Sequence, residues 1–77
     1  MKRNNDRHHS SFKTIGKNIR NYREGLNISQ EELAFRVSST RNYIGCIERA
    51  EKYPSVAFLL DISKALNIQL QDLFNNV

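Results

Sequence analysis

Seventy-seven residues, 39% hydrophobic, make one small domain of ordinary soluble composition; no apolar run approaches the roughly 20 residues of a bilayer-spanning helix, and none follows the N-terminal basic residues as a secretory signal requires. One cysteine excludes an internal disulfide and no Cys/His cluster has zinc-ligand spacing, so a reducing, cytoplasmic protein without metal or cofactor is expected. The net charge of +4 is uneven: residues 1–23 hold seven bases against Asp6 alone, the remainder five bases against seven acids, which suggests a polyanionic partner on one side.

Residues 1–10, with Lys2, Arg3 and Arg7, show no apolar periodicity and read as a flexible basic arm preceding a domain over 11–77. His8 and His9 are adjacent, so they share no helix or strand face and make a poor metal site. Helix 1 is predicted over about 11–24, where Phe12, Ile15, Ile19 and Tyr22 recur at helical spacing. Asn27 suits a left-handed residue in the connection, and Leu26 and Ile28 are expected to pack back onto the core.

Residues 29–49 then read as two short helices joined by a tight turn. Ser29 with Glu32 three residues on predicts a capping box. Leu33, Ala34 and Val37 form the inner face of helix 2, and Ala34 is small enough for two helices to cross closely. Ser38, Ser39 and Thr40 break the pattern, as hydroxyl residues do at turns and caps. In helix 3, Tyr43, Ile44 and Ile47 face inward, leaving Thr40, Arg41, Asn42, Gly45, Cys46 and Arg49 outside. Arg beside Asn at the start of that helix suits base edges of the major groove, since Arg pairs bidentately with guanine and Asn with adenine. In the loop that follows, Lys52 is placed to reach a phosphate; Pro54 then blocks helix and Ser55 caps the next one.

Helix 4, about 56–66, is apolar around much of its girth and is expected to be the central, most buried helix, with Asn67 at its C-terminal end. Helix 5 covers about 70–74. Leu70, Leu73 and Phe74 exceed what so small a core absorbs, so they are candidates for a homodimer interface. No alternating pattern marks a strand. The expected fold class is all-α, a compact five-helix domain.

The segments Ile15–Gly16–Lys17–Asn18–Ile19–Arg20, Ser29–Gln30–Glu31–Glu32–Leu33–Ala34, Tyr43–Ile44, Ile47–Glu48–Arg49, Pro54–Ser55 and Ala65–Leu66 through Leu73–Phe74, at these spacings, resemble the Cro and lambda-repressor (XRE-like) helix-turn-helix family over about residues 12–75. The resemblance implies a lambda-repressor-like DNA-binding domain, usually a homodimer on a two-fold symmetric operator. It implies Arg41 and Asn42 as main base readers, with Thr40, Gly45 and Cys46 near the groove, and Gln30, Tyr43, Arg49 and Lys52 at the phosphate backbone. It also implies a structural ion pair between Arg23 and Glu48. Two departures stand out: the family often has glycine where this chain has Ala50, and long polar side chains where it has Gly45 and Cys46.

The function expected is a sequence-specific, autoregulatory transcriptional regulator, with controllers of restriction–modification systems or phage-type repressors as subtypes. The alternative is an antitoxin that binds a small partner protein and its own promoter. An enzyme is not expected: the carboxylates are scattered, Cys46 lacks a base–orienter pair and no Gly-rich phosphate loop is present.

Overall fold

The computed structural model describes residues 7–77. Within them the chain forms α1 (His9–Gly25), α2 (Gln30–Arg36), α3 (Arg41–Glu48), α4 (Val56–Ala65) and a 3-10 helix (Leu70–Phe74), and no strand. The fifth α-helix expected from the sequence is thus a 3-10 helix. Five residues are too few to offset the cost of nucleating an α-helix, and the tighter turn serves for a short closing segment. The boundary drawn at residue 10 between arm and domain falls inside α1, which starts at His9; Lys2 and Arg3 of the arm lie outside the described residues. Among those described, no helix is long and apolar enough to cross a membrane.

Short helices hold their bounds here because both ends are closed. The side-chain oxygens of Ser29, Thr40 and Ser55 accept from the backbone N–H of Glu32, Tyr43 and Phe58 at 3.0, 3.1 and 3.0 Å, each stabilising by about 1 kcal/mol. The Ser29 box is only half formed, since the Glu32 carboxylate accepts from Arg36 Nε instead, at 2.9 Å. All four α-helices end alike. Asn27, Ser38, Ala50 and Asn67 take φ of 59°, 56°, 59° and 59°. The next N–H in each case (Ile28, Ser39, Glu51, Ile68) returns to the carbonyl of Arg23, Ala34, Cys46 or Ser63, five residues back, which is the Schellman closure. The closure after α3 therefore forms without the family's glycine. A left-handed alanine costs about 1–2 kcal/mol; burying the Ala50 methyl offsets about 0.8 kcal/mol of it.

The core joins Ile15 and Ile19 of α1, Leu33 and Ala34 of α2, Ile44 and Ile47 of α3, Leu59 and Ile62 of α4, and Leu66 and Leu73. Two expectations change. Helix α4 is not buried all round: it turns one stripe inward and leaves Val56 61% and Leu60 41% exposed. Leu73, expected at a dimer interface, is fully buried in the protomer and so cannot meet a second copy. Leu70 is half-buried against the core, and Phe74 alone of the three keeps substantial exposure. Leu26 also departs from expectation, lying half-exposed in the α1 closure while Ile28 packs inward. Asn18 of α1 ties down the C-terminal segment, its Nδ2 donating to the carbonyls of Leu73 and Asn75 at 2.9 Å each.

Candidate nucleic-acid interface

Helices α2 and α3 pack against each other, with Ala34 of α2 buried in the core, and α1 braces the far end of α3 through Gly16. A Cβ at Gly16 would lie 2.5 Å from the Ile47 carbonyl oxygen and 2.6 Å from that of Glu48. Only a glycine lets the two backbones meet this way. The brace is locked by charge. Glu48, its side chain 3% exposed, accepts from Arg23 Nε at 2.7 Å and Arg23 Nη2 at 3.1 Å. It also accepts from Gln30 Nε2 at 3.0 Å, while Arg23 Nη1 donates to the Ile28 carbonyl at 2.9 Å. No buried side-chain nitrogen or oxygen among the described residues lacks a partner. The Glu48 hydrogen bond raises the Arg23 pKa, against the opposing effect of burial. One network thus fixes α1, the start of α2 and the end of α3, as the expected Arg23–Glu48 pair requires.

What α3 then presents is specific. Arg41 and Asn42 are exposed at its N-terminal end, beside the exposed cap Thr40. Gln30, Arg41, Asn42, Gly45 and Arg49 line a recess of about 150 Å³. Arg49 donates from Nε and Nη2 to Glu51 at 2.9 and 3.1 Å; that hydrogen bond raises the Arg49 pKa and holds the Glu51 carboxyl below its ordinary range. Lys52 is exposed in the loop after α3.

Three site residues depart from expectation. Cys46 is only 9% exposed, and Gly45 is buried as the floor of the recess, so neither offers a group to a base edge. The loop after α3 turns back on Cys46, with the N–H groups of Glu51 and Lys52 both donating to its backbone carbonyl. Gln30 gives one amide hydrogen to Glu48, so it is first a structural residue and has one Nε2 hydrogen left for a phosphate. Tyr43 is half-buried with its ring edge-on to Phe58, centroids 5.3 Å apart.

Sequence reasoning missed the clamp behind the loop. Tyr53 stacks on Phe12 with ring centroids 4.1 Å apart, and its hydroxyl lies 2.8 Å from His9 Nδ1 in a hydrogen bond. His9, expected in the arm, helps hold the loop that carries Lys52. The signal available was the α1 spacing, which continues from Phe12 back to His9.

Known proteins match this arrangement. The profile of the family described as helix-turn-helix matches residues 19–73. The chain is 39% identical over 59 residues to control protein C.SmaI of Serratia marcescens, covering 77% of this chain and 70% of that one. It is 41% identical over 62 residues to control protein C.BamHI of Bacillus amyloliquefaciens, covering 79% and 76%. The solved restriction-modification controller protein C.AhdI of Aeromonas hydrophila superposes with a TM-score of 0.84 at 33% identity, over 87% of this chain and 97% of that one. The antitoxin alternative finds no support among these relatives, which are named as control or controller proteins. The chain belongs to the helix-turn-helix family of DNA-binding proteins and is a transcriptional regulator of that type.

Proposed function

We propose that this regulator is a restriction–modification controller that binds a two-fold symmetric operator as a homodimer and governs its own gene. The observation that carries the reading is the pairing of an exposed Arg41–Asn42 edge with a buried ion network that aims it. The N-terminal end of α3 enters the major groove, as in other helix-turn-helix proteins. Arg41 and Asn42 read bases, and Thr40 adds its hydroxyl hydrogen. Lys52, Tyr43 and the remaining amide hydrogen of Gln30 approach phosphates, which set register without reading sequence. The similarity to control proteins supports the subtype. Val56 and Leu60 of α4, with Phe74, are exposed apolar side chains that a second copy would cover. The protein acts in the cytoplasm, where its DNA lies.

The test is a titration against the duplex immediately upstream of its own gene and against a scrambled duplex, at low and moderate salt, with the mass of each complex recorded. The reading expects a dimer on the upstream duplex and weak, steeply salt-dependent binding to the scramble. Equal weak binding to both would remove autoregulation.

A further inference from the structure

We infer that Glu51 is a positioning residue that makes Arg49 a reader of base edges beside Arg41 and Asn42. The inference rests on the DNA-binding reading of α3 and names a residue that reading does not use. Helix side chains lean toward the N-terminus, so Arg49, at the C-terminal end of α3, runs back along the helix. A Cβ built at Gly45 would lie 2.9 Å from Arg49 Nη1 and 3.6 Å from each terminal amide atom of Gln30. Gly45 is therefore the bed on which the guanidinium rests. That bed places Arg49 in the same recess as Arg41 and Asn42.

Glu51 supplies the grip. Its backbone is fixed by the α3 closure, its N–H donating to the Cys46 carbonyl at 2.7 Å. Its carboxylate takes Nε and Nη2 of Arg49 at 2.9 and 3.1 Å. Nη1 and the second Nη2 hydrogen stay available, and these form the end-on pair that guanine O6 and N7 accept. A phosphate in the same place would face the Glu51 carboxylate and be repelled; an uncharged base edge would not. A long exposed arginine otherwise loses rotamer freedom on binding, and the grip removes part of that loss beforehand.

The experiment selects duplexes from a randomised pool with the wild-type protein, Glu51→Gln, Arg49→Ala and the double variant. The selected consensus and its single-base variants are then titrated. Glu51→Gln and Arg49→Ala are expected to lose preference at one and the same base position, one that Arg41→Ala leaves intact. Each binds the consensus about five- to tenfold more weakly, and the double variant binds no more weakly than Arg49→Ala. Both side chains are over half exposed, so thermal unfolding should match the wild type. Unchanged base preference in Glu51→Gln overturns the proposal. So does tighter binding of Glu51→Gln to consensus and random duplex alike with a steeper salt slope, because Glu51 would then be a rival of phosphate. A wild-type protein that selects no consensus overturns the DNA-binding reading itself, a failure that is visible before any variant is compared.

Discussion

Glu48 shows how one buried charge organises the reading surface. It sits at the C-terminal end of α3, where a negative charge opposes the helix dipole; Arg23 and Gln30 more than compensate through three hydrogen bonds. Glu48→Ala leaves the buried Arg23 guanidinium with only the more distant Glu24 carboxylate, 3.9 Å from Nη2, so a loss of about 3–5 kcal/mol in urea unfolding is expected. Replacing both Arg23 and Glu48 by leucine should recover much of it. A single-variant loss under about 1 kcal/mol would show that Glu24 suffices as the partner of Arg23, and the Arg23–Glu48 pair would no longer explain how α3 is held. This pair was legible only through the family resemblance, since 25 residues separate its members. The exposure of Arg41 and Asn42 was legible from helical spacing alone. The burial of Cys46 was not legible because helix periodicity says nothing of the loop after α3, which turns back to the Cys46 carbonyl.

At the scale of elements, the caps were the most readable feature. Ser29 and Ser55 sit one residue before their helices and Asn27 and Asn67 two residues after theirs, local rules that need no tertiary context. The Gly16 approach was not readable, because its partner carbonyls belong to another helix. Gly16→Ala drives a methyl into the Ile47 and Glu48 carbonyl oxygens and must move α1 or α3. We expect a destabilisation of at least about 1–3 kcal/mol, measured by thermal unfolding, together with weaker operator binding at temperatures where the variant is folded. Wild-type stability in Gly16→Ala would mean that the two helices can separate freely. The last helix was misjudged in type because a run of five residues carries too little pattern to tell an α turn from a 3-10 turn.

For the whole molecule, size and charge set the behaviour. A chain of 77 residues buries a modest core, and the proposed dimer would add stability by mass action. The apolar count in the sequence foretold surplus surface, but which residues carry it depends on how the helices are turned: Phe35 of α2, Val56 and Leu60 of α4, and Phe74 are left exposed. Leu60→Lys is expected to shift the protein toward monomer in sedimentation while leaving urea unfolding of the protomer within about 0.5 kcal/mol. A variant that stays dimeric would move the interface off α4. Leu73→Lys, by contrast, buries a charge in the core and should prevent folding.

The most direct test is the discrimination lost by Arg41→Ala. Wild-type and variant proteins would be titrated against the selected operator and against the same duplex changed at single base pairs, at fixed salt. If α3 reads bases through its exposed N-terminal end, the variant loses about 1–3 kcal/mol on the operator and becomes indifferent at one base position in each half-site. An equal loss on operator and random duplexes would show that Arg41 only holds phosphate, contradicting the assignment of α3 as the reading helix.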